Sequence, residues 1–243
     1  MTTDSSENED PSKPWLKHGR ALVVVAHPDD AEFGCGGTLA KLVKEGMELG
    51  YVICTNGNKG SNDPNMTSEK LAVIREAEQR EASRVIGAKE ITFLGYGDGE
   101  LESTVELIGK IVREIRRFKP DIILCQDPWR TRHNHRDHRN AAQSTFDAVY
   151  PYARDHLHFP EQLADGLETH KVAEIYTTMT EEPDIVIDIT DTIQTKIDAL
   201  KEHKSQIGDP DSLQERILTR TSELAEKHGL KYAEGFRRHV FNA

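Results

Sequence analysis

Residues 21–32 of the chain read A-L-V-V-V-A-H-P-D-D-A-E, and this stretch decides the fold. Its first half is a continuous run of β-branched and aliphatic residues, which is typical of a strand buried on both faces of a parallel sheet. Its second half places a histidine, a proline and two adjacent aspartates directly after that strand. Because neighbouring carboxylates repel each other and favour solvent, a salt partner or a cation, the stretch predicts a buried strand that ends in a functional turn.

Outward from this stretch, strand and helix patterns alternate along the chain. A helix from Ala31 to about Gly46 and a strand over residues 51–55 complete a right-handed βαβ unit. Further strands are predicted over residues 90–94, 121–125, 173–178 and 185–189. Further helices are predicted over residues 68–85, 104–117, 137–148, 192–203 and 212–228. The alternation predicts an α/β fold of the Rossmann-like kind, with three layers and a largely parallel sheet.

Length and composition favour one globular domain. The chain has 243 residues, of which 36% are hydrophobic and 30% charged, so one sizeable core can form. We predict a single domain over residues 15–243. It follows a disordered N-terminal tail over residues 1–14, which is rich in Ser, Asp, Glu and Pro.

Charge, cysteine usage and hydropathy restrict the partners and the compartment. The 31 Lys and Arg residues stand against 42 Asp and Glu residues, which gives a net charge of −11 and no broad basic surface for nucleic acid. The three cysteines form no C-x-x-C pair, and the N-terminus lacks the apolar segment of a signal peptide. No apolar run reaches the roughly 20 residues that cross a bilayer. We therefore expect a cytoplasmic protein that binds neither nucleic acid nor membrane.

A second group of titratable residues follows the fourth predicted strand, where residues 133–139 read H-N-H-R-D-H-R. In open α/β sheets ligands bind beyond the carboxyl ends of the strands, so both groups fall where chemistry is expected. A catalytic zinc ion needs three nitrogen or oxygen ligands and one open position, and His27, Asp30 and His138 would provide that set. Asp29 would then be free to accept a proton from the metal-bound water.

These motifs resemble those of the PIG-L/LmbE family of zinc-dependent N-deacetylases. The resemblance lies in A-H-P-D-D-A-E after a strand and H-x-D-H about a hundred residues later. Further similar segments are R-x-x-E-x-x-x-A at 75–82, G-D-G-E-L at 97–101, K-x-x-A-L-x-x-H-x-S-Q at 196–206 and Y-A-E-G-F at 232–236. One departure is Arg136, which stands where the family usually has the proline of H-P-D-H.

The resemblance implies an LmbE-like fold and a role for each residue of the two main motifs. His27, Asp30 and His138 are implied to bind Zn²⁺. Asp29 is implied to be the general base. His135 is implied to stabilise the oxyanion or to assist proton delivery.

The resemblance also implies a substrate and an assembly. Substrate contacts are expected for Arg75, Asp98 and His239, the last because some relatives have a C-terminal histidine near the metal. The expected reaction removes the acetyl group from an N-acetylglucosamine-type mono- or disaccharide or conjugate and releases acetate. A homo-oligomer, either a trimer or a hexamer, is expected as well.

Two other functions compete with this hypothesis. The chain could be a metallo-amidohydrolase acting on a different acylated amine, or a non-catalytic zinc-binding protein that has kept the site. A retired enzyme is expected to lose its base, whereas Asp29 is present, so an enzyme is favoured.

Local alternatives also remain for single residues. Asp137 could orient His135 or could cap the helix that follows. Arg75 and Glu78, three positions apart on a helix, could form a solvated ion pair instead of a site. The glycines at 34, 36 and 37 do not match the dinucleotide pattern G-x-G-x-x-G, so we interpret them as sites of close helix packing.

Overall fold

A computed structural model describes residues 14–132 and 135–241. Residues 1–13 of the predicted tail lie outside these ranges. The strands are β1 (Arg20–Val25), β2 (Glu48–Thr55), β3 (Glu90–Tyr96), β4 (Ile122–Gln126), β5 (Glu174–Thr178), β6 (Ile185–Asp188) and β7 (Ala233–Val240). The α-helices are α1 (Asp30–Lys44), α2 (Ser68–Ile86), α3 (Val105–Phe118), α4 (Arg136–Asp147), α5 (Pro160–Ala164), α6 (Ile193–Lys201) and α7 (Pro210–Glu226). A 3-10 helix (Pro14–Lys17) precedes β1, and a π-helical segment (Ala148–Ala153) follows α4.

The strands form one sheet in the order β3-β2-β1-β4-β5-β7-β6. The neighbours from β3 to β5 are parallel, and β7 lies antiparallel to both β5 and β6. The predicted α/β class with a largely parallel sheet is therefore confirmed. The exception is β7, where the sequence pattern predicted no strand because charged residues interrupt its apolar positions.

Two apolar cores cover the two faces of the sheet, which gives the predicted three layers. Val23 and Val25 of β1 point into one core with α1, α2, α6 and α7. Leu22 and Val24 point into the other core with α3 and α4. This burial on both faces explains why β1 reads as a continuous apolar run. Within the described ranges, no helix combines the length and apolar character that a membrane span requires.

The glycines of α1 allow this helix to approach the end of the sheet closely. A Cβ atom added to Gly34 would lie 2.9 Å from Cγ2 of Thr178, and one added to Gly37 would lie 2.6 Å from Cδ1 of Ile189. Real Cβ atoms do not approach that closely, so the packing interpretation of these glycines is confirmed. The consequence is that the N-terminus of α1 is held against the carboxyl edge of the sheet.

Arg116 of α3 is fully buried and fixes the long connection between α4 and β5. Its guanidinium donates hydrogen bonds to the backbone carbonyls of Tyr152 (3.0 Å), His158 (2.9 Å) and Phe159 (3.2 Å). The sequence pattern of α3 gives this arginine no special role, because an arginine on an amphipathic helix normally faces solvent.

Candidate active site

The two His/Asp groups meet because β1 and β4 are parallel neighbours, with Val24 opposite Cys125. Nδ1 of His27 lies 3.2 Å from Nε2 of His138 and 3.3 Å from Oδ2 of Asp30. Nε2 of His138 lies 3.1 Å from Oδ1 of Asp30. A tetrahedral zinc ion with bonds of about 2.0–2.1 Å holds its ligand atoms roughly 3.3 Å apart. The three side chains thus have the donor types and the spacing that fit a shared metal ion.

Carboxylates surround the His27 ring on its other side as well. Nε2 of His27 lies 3.1 Å from Oδ2 of Asp137 and 3.0 Å from Oδ1 of Asp98. Burial disfavours the protonated ring, but hydrogen bonds to Asp137, Asp30 and Asp98 outweigh it and raise the pKa of His27 to about 12. The surplus of negative charge therefore favours a cation in the cluster, either a proton on His27 or a metal ion.

In the described part of the chain, two sets of three side chains could each offer one donor atom per residue to a metal ion. Within each set these donor atoms lie within 4.8 Å of one another. One set consists of His27, His135 and His138, and the other of His27, Asp98 and Asp137. The predicted ligands His27, Asp30 and His138 also contact one another, with each pair of side chains 3.1–3.3 Å apart at its closest approach, and Asp30 uses Oδ2 toward His27 and Oδ1 toward His138. We therefore take His27, Asp30 and His138 as the best candidates for metal ligands.

Asp137 orients His27, not His135. Its Oδ2 accepts hydrogen bonds from Nε2 of His27 and from the backbone N–H of Gly99 (2.6 Å), and its Oδ1 accepts one from the N–H of Leu101 (3.2 Å). With the Nε2 hydrogen directed at a carboxylate, the Nδ1 lone pair of His27 faces Asp30 and His138, which is the usual arrangement of a metal-binding histidine. The predicted Asp137–His135 pairing is wrong.

His135 caps α4, so the predicted capping role of Asp137 is wrong too. Nδ1 of His135 accepts a hydrogen bond of 3.1 Å from the backbone N–H of Asp137. Since Nδ1 acts as the acceptor, the neutral ring carries its proton on Nε2 and can donate it to a ligand. Burial, together with the charges of His27 and His138, lowers the pKa of His135.

Asp29 has a left-handed backbone conformation, with φ of 94°, and a side chain of α2 binds its carboxylate. Arg75 donates to Oδ2 of Asp29 (3.1 Å), to the carbonyl of Pro28 (2.6 Å) and to that of Gly57 (3.0 Å). Arg75 is only 4% exposed, so the alternative of a solvated pair with Glu78 is wrong. Burial and the charge of the adjacent Asp30 raise the pKa of Asp29 to about 7, although Arg75 opposes the shift.

Gln79 was not predicted as a site residue, yet it also reaches Asp29. Its Oε1 accepts a hydrogen bond of 2.8 Å from the backbone N–H of Asp29. The spacing of four residues from Arg75 is a signal that could have identified it, because residues i and i+4 share one helix face.

His239 lies apart from the other predicted site residues. It belongs to β7, opposite Ile175, and its ring contacts those of Phe146 and Trp129 with centroids 5.0 and 5.6 Å away. Its Nε2 lies 3.3 Å from Oγ1 of Thr177. In the described part of the chain, these contacts do not connect His239 to the metal-type cluster.

Arg136 occupies the first position of α4, where a backbone N–H has no partner within the helix and proline is well tolerated. Its guanidinium pairs with Glu102 (2.7 Å) and donates to the carbonyl of Leu101 (3.3 Å). An arginine in place of proline at position 136 is therefore compatible with the start of α4, and it links this helix to the loop that carries Asp98.

Known proteins with similar sequences place this site in a family. The family model described as GlcNAc-PI de-N-acetylase matches residues 22–149. The diacetylchitobiose deacetylase of Thermococcus kodakarensis is 33% identical over 229 residues, which cover 93% of this chain and 85% of that protein. The chain belongs to the PIG-L family. The resemblance stated from the motifs is thereby confirmed.

Two further similar proteins differ in the substrate that their names give. The N,N'-diacetylchitobiose deacetylase of Pyrococcus horikoshii, solved with its inhibitor MPG, superposes with a TM-score of 0.89 at 31% identity, covering 95% of this chain and 87% of that one. A relative from Bacillus anthracis is 28% identical over 192 residues, 77% of this chain and 81% of its own length. It is named "Probable N-acetyl-alpha-D-glucosaminyl L-malate deacetylase 2".

Proposed function

We propose that the chain is a zinc-dependent hydrolase that removes the acetyl group from an N-acetylglucosamine-type amino sugar and releases acetate. The observation that carries this proposal is the mutual contact of His27, Asp30 and His138, whose side chains approach one another to 3.1–3.3 Å next to the partly buried carboxylate of Asp29. Membership of the PIG-L family and the names of the relatives support the same reaction class.

His27, Asp30 and His138 would hold the metal, and Asp137 would fix the His27 ring. Bound there, zinc would supply Lewis acidity and lower the pKa of water to about 7. All three ligand side chains are wholly or largely buried, which excludes competing water and strengthens electrostatic interactions within the site.

Asp29 would act as general base. Arg75 binds its Oδ2, so Oδ1 remains for the proton of the attacking water. When the tetrahedral intermediate collapses, the same carboxyl group would return that proton to the leaving amine, which keeps the proton balance within one residue. The nitrogen leaves as a neutral amine and the acyl group leaves as acetic acid, because the second proton of the attacking water stays on the new carboxyl group. Acetic acid then loses this proton to solvent and becomes acetate.

His135 would stabilise the negative charge that develops on the acetyl oxygen. Its Nδ1 is occupied by the backbone of α4, so its Nε2 hydrogen is the free donor. The same bond fixes the direction of the ring before the substrate arrives, which is the preorganisation that oxyanion stabilisation requires.

A neutral saccharide suits the surroundings of the site better than an anionic conjugate. Lys59 pairs with Glu100 at 2.5 Å and donates to the carbonyl of Asp98 at 2.8 Å. Arg136 pairs with Glu102. Each of these two cations already has a carboxylate partner, and a malate group that approached either cation would compete with that carboxylate. We therefore place a diacetylchitobiose-type substrate ahead of a malate conjugate.

The test measures acetate release from N-acetylglucosamine, diacetylchitobiose and N-acetylglucosaminyl malate, with zinc-loaded and chelator-treated protein. Asp29→Asn should lower kcat about 10²- to 10⁴-fold while one equivalent of zinc stays bound. The matched control is Asp191→Asn, at a side chain that is 79% exposed, and it should retain wild-type activity.

Three outcomes would contradict the proposal in different ways. Equal acetate release by wild type and Asp29→Asn would remove the general base from the mechanism. Zinc binding without acetate release from any of these sugars would favour the non-catalytic protein or a different acylated amine. Full activity after zinc removal would exclude a metal-dependent reaction.

A further inference from the structure

Two residues of the motifs described above, Glu32 and His203, have no role in the proposed reaction. Glu32 ends the stretch A-H-P-D-D-A-E, and His203 belongs to the segment K-x-x-A-L-x-x-H-x-S-Q. Although 171 positions separate them, Nε2 of His203 lies 3.3 Å from Oε2 of Glu32. Both side chains are fully buried, so this pair is part of the interior and not of the substrate surface.

Gln79 connects this pair to Asp29. Its Nε2 donates a hydrogen bond of 3.0 Å to Oε1 of Glu32, and its Oε1 accepts the bond of 2.8 Å from the backbone N–H of Asp29. Gln79 is also fully buried. A continuous chain of hydrogen bonds therefore runs from His203 through Glu32 and Gln79 to the backbone of Asp29.

The orientation of the Gln79 amide follows from its two neighbours. The backbone N–H of Asp29 can only donate, so Gln79 presents its carbonyl oxygen there, and its NH₂ group donates to Oε1 of Glu32. With its NH₂ group turned toward Glu32, Gln79 can present only its carbonyl oxygen to Asp29. The pair thus fixes the orientation of an amide that could otherwise flip.

Asp29 needs such support because of its backbone. A non-glycine residue in the left-handed region is strained and persists only where its surroundings determine the conformation. Arg75 holds the Asp29 carboxylate and the preceding carbonyl, whereas Gln79 holds the N–H. The two side chains together specify where the carboxylate lies relative to the metal ligands.

We propose that Gln79, oriented by the buried Glu32–His203 pair, is a positioning residue for the base Asp29. It contacts neither metal nor substrate, and it acts by keeping the Asp29 backbone in the left-handed conformation that directs the carboxylate at the attacking water. This inference rests on the proposed deacetylase function.

The first test compares two buried glutamines. Gln79→Leu removes both hydrogen bonds at the site. Gln162→Leu also removes two, the bond of 2.8 Å to the carbonyl of Gly109 and the bond of 3.5 Å from Arg116, neither of which involves a site residue. Gln79→Leu should lower kcat about 10- to 100-fold, because small misplacements of a catalytic group cost that much. Its KM and its one equivalent of zinc should stay at the wild-type values. Gln162→Leu should lower the unfolding midpoint but leave kcat unchanged.

The second test exchanges the two polar groups and does not depend on the folding of Gln79→Leu. In the double variant Glu32→Gln with Gln79→Glu, the new carboxylate accepts from Asp29 and from the new amide, and the amide oxygen accepts from His203. Every hydrogen bond is kept, so the double variant should regain at least about tenfold in kcat over Gln79→Leu. Gln79→Glu alone places two carboxylates at 3.0 Å and should lack this recovery.

The inference is overturned if Gln79→Leu is folded, holds zinc and has the wild-type kcat. It is equally overturned if Gln162→Leu loses as much kcat, or if the double variant folds with no more activity than Gln79→Glu. Failure of the function itself is recognised separately, because zinc-loaded wild type would then release no acetate from any sugar of the panel, and the positioning role would fall with it.

Discussion

Replacing Asp137 by asparagine tests how a side chain outside the candidate ligand set controls the metal. The two carboxylate oxygens of Asp137 accept three hydrogen bonds, from Nε2 of His27 and from the backbone N–H groups of Gly99 and Leu101. Asparagine has nearly the same shape but only one accepting oxygen. Whichever way its amide turns, at least one buried N–H group must face an NH₂ group. The His27 ring also loses one of its two anionic neighbours at Nε2, and only Asp98 remains there, at 3.0 Å.

Each of these two consequences has an expected magnitude. One buried donor without an acceptor costs about 1–3 kcal/mol, so the free energy of unfolding should fall by about that amount. Loss of a carboxylate partner behind a metal-binding histidine lowers metal affinity about 10- to 100-fold, which is about 1.4–2.7 kcal/mol. Both effects are measured on the same protein, by denaturant unfolding of the apo form and by competition for zinc with a chromophoric chelator.

Asp147→Asn is the matched control on the same helix. Asp147 accepts a hydrogen bond of 3.3 Å from Gln143, one turn earlier on α4. Its substitution should change zinc affinity by a factor of about two at most. If Asp137→Asn binds zinc as tightly as wild type, then Asp137 does not orient a metal ligand and the assignment of His27 Nδ1 to the metal is wrong.

Two further predictions concern the base and the acid stability. Gly57→Ala, at φ of +62°, would place a Cβ atom 2.4 Å from the Arg75 guanidinium, so kcat should fall. The control Gly166→Ala, at φ of +91° with open space around it, should lower the free energy of unfolding by about 1 kcal/mol and leave kcat unchanged. Equal kcat values in the two variants would contradict this. Burial would raise the pKa of Glu174, but donors that include Arg238 hold it well below its ordinary value. Its contribution to stability is therefore complete above the unfolded pKa of about 4.3 and is lost as the pH falls below that value. Denaturant unfolding from pH 6 to pH 3 should show the stability advantage of wild type over Glu174→Gln shrinking, and a constant difference would refute the argument.

The sequence was sufficient to predict that two His/Asp motifs would meet, because both follow buried strands of a parallel sheet and such strands end at the same edge. It was not sufficient to predict which carboxylate reaches which ring. Asp137 is two positions from His135, yet its side chain reaches His27. Spacing along a chain fixes distances within one turn of helix, but contacts across two loops depend on how the strands are placed side by side.

The missed strand β7 shows the same limit on a larger scale. Glu234 and Arg238 interrupt its apolar pattern, so the segment does not read as a strand. Both charged side chains have hydrogen-bond partners that are distant along the chain. Glu234 accepts from the backbone N–H groups of Gly37 and Thr38, and Arg238 pairs with Glu174. A polar residue with a tertiary partner is compatible with a buried strand, but no local pattern reports that partner.

The candidate site places metal binding and proton transfer on different parts of the fold. The candidate metal ligands come from the turn after β1, the first residue of α1 and the first turn of α4, whereas side chains of α2, Arg75 and Gln79, bind the base Asp29. None of the candidate ligands His27, Asp30 and His138 lies on α2. Metal binding and proton transfer should therefore respond to different substitutions: changes on this face of α2 should lower kcat with zinc retained, and changes at Asp137 should release zinc first. A variant of α2 that loses zinc and activity in parallel would mean that the turn carrying Asp29 and Asp30 moves as one unit, and that the two tasks share a single support.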